Sequence, residues 1–91
     1  MTDEYYLYTF ESTHGAISTE RLLKPLGCIV MPVPRAISTS CGIAVRVEPD
    51  RIEATVDAFR AGSDLAAGEF QIYHIRSDKS QVLFEYEPFD I

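Results

Sequence analysis

CIVMPVPRAISTSCGIAVRV, residues 28–47, decides the fold. Residues 28–33 are apolar, with a proline at 32 and another just past the run at 34, which reads as a strand confined to the edge of a sheet, its free side blunted by those prolines. Ile43, Val45 and Val47 alternate with Ala44 and Arg46, the period-two pattern of a strand with one buried face. The two runs form a hairpin, and the loop between them, RAISTSCG at residues 35–42, places Cys41 among serines, threonine and glycine. Cysteine in folded chains is usually buried and inert, so a thiol set among polar loop residues points to chemistry.

Working outward, residues 5–10 are aromatic and β-prone and form a first strand. Ser12 and Thr13 are N-cap candidates; Ala16, Ile17, Glu20, Leu23 and Lys24 follow at helical spacing until Pro25 and Gly27 close the helix. Beyond the hairpin, Pro49, Asp50 and Glu53 predict a helix start with an Asp-x-x-Glu capping box, and Ile52, Val56 and Phe59 share one face before Gly62. Residues 70–75 and 82–86 are two further strands around a polar turn at 77–80. The order β-α-β-β-α-β-β predicts an α+β fold, a ferredoxin-like two-layer sandwich (βαββαβ) with both helices on one face and an extra C-terminal strand. A length of 91 residues makes residues 1–91 a single domain, without room for a cleft between lobes.

Fourteen acidic against eight basic side chains give a net charge of -6, which repels a phosphate backbone, so nucleic acid is not expected as a partner. No apolar run approaches the roughly 20 residues of a membrane span, and the acidic start is unlike a secretion signal, so a soluble, cytoplasmic protein is expected. Cys28 and Cys41 fall toward opposite ends of adjacent strands, roughly 20 Å apart at about 3.3 Å per residue, and read as two free thiols in a reducing compartment. The two histidines and two cysteines lack metal-ligand spacing, so neither a metal nor a cofactor is expected. Tyr6, Tyr8 and Phe10 share one face of the first strand; if the helices leave that face bare, it is a self-association or docking surface, hence a homodimer is entertained. His74 reads as structural or exposed, and Glu85 and Glu87 as solvated carboxylates.

In the expected topology the first strand ends, and the first helix begins, beside the 35–42 loop, so Cys41 should lie close to Ser12, Thr13 and His14. A helix N-terminus lowers a thiol pKa, and His14 and Arg35 would add to that effect. Ser38, Thr39, Ser40 and Gly42 offer donors that can cradle an anion such as a persulfide or selenide. The chemistry that follows is a thiolate that accepts a chalcogen atom and passes it on by exchange. Against it stands the plainer reading that Cys41 packs as a small hydrophobe at the start of the third strand; Cys28 belongs to the core.

F-x-S-T-H-x-A at residues 10–16 and P-V-P-R-x-I-S-x-S-C-G-x-A at residues 32–44 resemble a small bacterial and archaeal family of selenium/sulfur carrier-like proteins. The resemblance covers roughly residues 5–62. It implies that Cys41 is the family's loop cysteine, with Ser12, Thr13, His14, Arg35, Ser38, Ser40 and Gly42 around it. Its implied partners are sulfur- or selenium-donor and acceptor proteins. Pro25 departs from the family pattern and should shorten the first helix, and residues 63–91 extend past it. A carrier or binding protein is favoured over an enzyme. The alternative is a regulatory or docking module that binds a small anion or a partner at the same loop, with Cys41 incidental.

Overall fold

The computed structural model describes residues 2–91. Strands β1 (Asp3–Phe10), β2 (Ile29–Pro32), β3 (Ile43–Val47), β4 (Phe70–Asp78) and β5 (Leu83–Pro88) form one five-stranded sheet in the order β2-β3-β1-β4-β5. Every pairing is antiparallel: Tyr6 faces Val47 and His74, Val30 faces Val45, and Ile75 faces Tyr86. Helices α1 (Thr13–Leu23) and α2 (Ile52–Gly62) connect β1 to β2 and β3 to β4. The class is α+β, as expected.

The central strand β1 is apolar on both sides, and the two sides have different cover. Tyr8 and Phe10 pack with Val45, Val47 and Ile72 against Ala16 and Leu23 of α1 and Ile52 and Phe59 of α2. Tyr5, Leu7, Ala44 and Ile75 form a second cluster on the opposite face, closed by Ile37 of the loop at residues 33–42. The aromatic stripe therefore lies under the helices and not on a bare face. Tyr8 and Phe10 are buried, and Tyr6 is spent on a stack with His74 (4.7 Å) and an edge contact with Phe89 (4.9 Å). That removes the stripe as a docking surface. His74 is structural, its Nε2 2.7 Å from Glu4 Oε2 and its Nδ1 3.6 Å from Glu87 Oε1.

Several boundaries differ for local reasons. The α1 helix stops at Leu23 and tightens into a 3-10 turn that contains Pro25, and Gly27 at φ +83° ends it in the left-handed conformation glycine tolerates. The capping box at Asp50 and Glu53 does not form: Pro49–Arg51 is a 3-10 turn, and α2 begins behind Arg51 without a side-chain cap. Ser77 and Asp78 belong to β4 rather than to the turn, and Asp78 Oδ1 accepts from the Ser80 amide (3.0 Å) and hydroxyl (2.6 Å) to turn the chain at Lys79–Gln81. The helices approach closely at Gly62, where a Cβ would come within 2.7 Å of Leu22 Cδ1.

Tyr8 gives the core a pH signature. Its hydroxyl donates to Thr55 Oγ1 at 3.2 Å, and burial pushes its pKa up to about 12. The folded chain then keeps the Tyr8 proton over a range in which the unfolded chain, titrating near 10, has lost it. Stability from this group is complete below pH ~10 and is lost as pH rises from there toward about 12. Urea unfolding at alkaline pH is expected to show this decline, and Tyr8→Phe should flatten it; an equal slope in the variant would exclude Tyr8 as its source.

Candidate functional site

The site is the junction where β1 hands over to α1 and the β2–β3 loop folds against it. Ser12 is the N-cap of α1, with extended backbone (φ -139°, ψ 152°) and a side-chain oxygen that accepts from the Gly15 amide at 3.1 Å. Ala16 N–H donates to Ser12 O at 3.2 Å. The amides of Thr13 and His14, in the first turn, have no carbonyl partner within the helix. The positive end of α1 therefore opens toward the loop.

Three contacts fasten the loop there. Thr39 Oγ1 donates to Phe10 O, Ser40 Oγ donates to Glu11 Oε2 at 2.9 Å, and Cys41 Sγ lies 4.0 Å from Thr13 Oγ1. Val33 N–H donates to Gly42 O at 3.1 Å and closes the base of the hairpin, while Ile37 N–H donates to Pro34 O at 3.0 Å in a turn. The loop thus straddles the end of the sheet, with Ile37 seated in the cluster on one face and Cys41 in the helix-side core on the other.

The expected neighbourhood of Cys41 is met in part. Thr13 touches it, and Ser12 and Ser40 are one contact away, though Ser12 is occupied as a cap and Ser40 by Glu11. Gly42 gives its carbonyl to Val33. His14, Arg35 and Ser38 are exposed and make no side-chain hydrogen bond or ion pair among the described residues. Glu11 and the Phe10 carbonyl were not foreseen: a lone acid at a strand end and a main-chain oxygen carry no sequence signal.

Cys41 is not solvent-facing. It is 3 % exposed, because a loop of this length needs apolar anchors and Ile37 and Cys41 are the side chains that supply them. Cys28 is half-buried rather than core, and burial pushes its thiol pKa up while Arg51 pulls it back in part. Both thiols are free. The strand register keeps them apart, since Ile29, next to Cys28, faces Arg46, and Pro32 faces Ile43 at the Cys41 end. Among the described residues no His/Cys/Asp/Glu cluster can hold a metal ion, and no helix is long and apolar enough to cross a membrane.

No curated protein and no solved structure matches the chain. A family model does match, over residues 5–64, which run from β1 through α2 and include the whole Cys41 junction. The chain belongs to the family described as "Putative Se/S carrier protein-like".

Proposed function

We propose that this chain carries sulfur or selenium on Cys41, receiving the atom from a donor protein and yielding it to an acceptor in the cytoplasm. Membership in a carrier family supports the general role. The observation that carries the assignment to Cys41 is its position at the junction itself, its Sγ 4.0 Å from Oγ1 of Thr13, the first residue of α1, inside the stretch that the family model covers, whereas Cys28 lies away from the junction. The fold we read as ferredoxin-like, with β2-β3-β1-β4 as its four-stranded sheet, both helices against one face and β5 added beside β4.

The reaction is an exchange. The Cys41 thiolate attacks the terminal sulfur of a donor persulfide, R–S–SH; one S–S bond forms, the donor's S–S bond breaks, and R–S⁻ leaves with the electron pair. Oxidation state is conserved, so no cofactor is required. Transfer to the acceptor is the same step with roles exchanged. Because Cys41 is buried, reaction requires residues 34–42 to lift, which releases Ser40 and Thr39 from Glu11 and Phe10 and leaves their donors free for the persulfide. Arg35, His14 and Ser38, exposed at the rim, meet the donor and acceptor.

Reduced Cys28→Ala protein treated with a low-molecular-weight persulfide is expected to gain the mass of one sulfur atom per chain, and the further variant Cys41→Ser none. Equal uptake by the serine variant would end the carrier reading. The burial of Cys41 favours a second reading, a docking module whose loop binds a small anion or partner through Arg35 and the serines. It predicts that Arg35→Ala abolishes partner binding while Cys41→Ser retains it.

A further inference from the structure

The β2 edge of the sheet leaves a specific set of backbone groups unused. Val33 N–H donates to Gly42 O, continuing the ladder in which Met31 faces Ala44 and Ile29 faces Arg46. Hydrogen-bonded pairs alternate along an antiparallel ladder, so Ile29, Met31 and Val33 direct their N–H and C=O groups to β3. Cys28, Val30 and Pro32 direct theirs away from the sheet. Both prolines, Pro32 and Pro34, fall in this outward set, where a missing N–H breaks no bond within the chain. Val30 keeps an outward donor and an outward acceptor.

The surroundings of this edge are apolar. Ile29 is 59 % exposed, Val30 49 %, Ile17 47 % and Ile43 38 %. Three of these line a groove of about 280 Å³ between α1 and β2, with Ala16, Glu20 and Arg21 beside them. No charged residue occurs on β2; of the devices that keep sheet edges apart it carries proline alone, at Pro32 with Pro34 just beyond, and these leave the outward donors of Cys28 and Val30 in place. The β5 edge is different. Phe89 N–H donates to Ile72 O at 2.8 Å, so by the same parity Phe84 and Tyr86 face outward. Self-pairing about Tyr86 would set Glu85 opposite Glu87 of a second copy, a like-charge pair on each side of the axis.

We propose that β2 pairs antiparallel with β2 of a second copy of this chain about a two-fold axis at Val30, so that the sheet runs continuously across a homodimer. The axis makes the Val30 N–H of each copy donate to the Val30 C=O of the other. Each Cys28 N–H then reaches a Pro32 C=O, a pair in which the absent proline donor removes one bond of two. The two-fold also apposes two copies of the same groove, each with one carboxylate, Glu20, and one guanidinium, Arg21. The charges lining the two grooves therefore sum to zero, in a chain whose net charge of -6 opposes association elsewhere. This proposal is independent of the role of Cys41.

Sedimentation velocity across a concentration series, with amide hydrogen exchange at low and high concentration, tests it. The wild type is expected to dimerise, and the Val30 amide, free in the monomer, to become protected as the dimer fills. Val30→Pro removes the central donor of both copies without touching the ladder to β3 and should weaken dimerisation at least about tenfold. Ile29→Lys, which places two cations beside the axis, gives the same test should the proline variant lose its far-ultraviolet circular dichroism. A wild type that stays monomeric up to about 1 mM overturns the proposal, as does a dimer that both variants leave intact.

Discussion

Replacing Ile37 by alanine is expected to raise the alkylation rate of Cys41 by about thirty- to one-hundred-and-fiftyfold in a chain that remains folded. Ile37 is 6 % exposed and closes the cluster of Tyr5, Leu7, Ala44 and Ile75. Deletion of its buried carbons removes about 2–3 kcal/mol from whatever state contains that contact, toward the lower end for isoleucine to alanine because a loop collapses more readily than a strand. If the loop opens locally, the full amount appears in the opening equilibrium, and the rate of a thiol that reacts only when open rises with it. Leu23→Ala, at the far end of α1, lowers global stability without touching the loop and should leave the rate unchanged. Were both variants to accelerate alkylation in proportion to their loss of global stability, Cys41 would be reached only by complete unfolding. Local lifting of the loop would then be excluded.

The second large effect is on the fold itself. Phe59→Ala should lower the free energy of unfolding by about 3–5 kcal/mol in urea titration. The Phe59 ring lies 5.3 Å from the Tyr8 ring and 4.6 Å from the Phe70 ring, so one side chain of α2 joins the central strand to the start of β4. A domain of this length has a total stability of roughly 5–14 kcal/mol. The loss is therefore a large share, and Phe59→Leu, which keeps most of the volume, should forfeit under about 1.5 kcal/mol. A loss below about 1 kcal/mol for the alanine variant would mean that α2 does not pack on Tyr8 as described.

How far the sequence could be read depended on whether the signal was local. The alternation of Ile43, Val45 and Val47, the punctuation by Pro25 and Gly27, and the two prolines of the edge strand all report main-chain requirements, and each element was placed to within a few residues. The orientation of β1 was not legible in this way. Tyr5, Leu7 and Thr9 are as buried as Tyr8 and Phe10, so alternation could not say which side the helices cover. The meeting of the loop with the start of α1 followed from topology, but the burial of Cys41 did not. In a run of serine, threonine and glycine, nothing marks a cysteine and an isoleucine as anchors until the sheet beneath them is known. Asp50 and Glu53 match a capping pattern that Pro49 pre-empts by holding the chain in a 3-10 turn.

The placement of β1 between β3 and β4 has a consequence for synthesis. Residues 5–64 end before Phe70, the first residue of β4, so that stretch alone leaves one whole side of β1, from Tyr5 to Phe10, without a neighbour. On a ribosome adding about 5–20 residues per second, the aromatic first strand waits for several seconds before its last partner emerges. For that interval one edge of the first strand is open to pairing with any other extended chain.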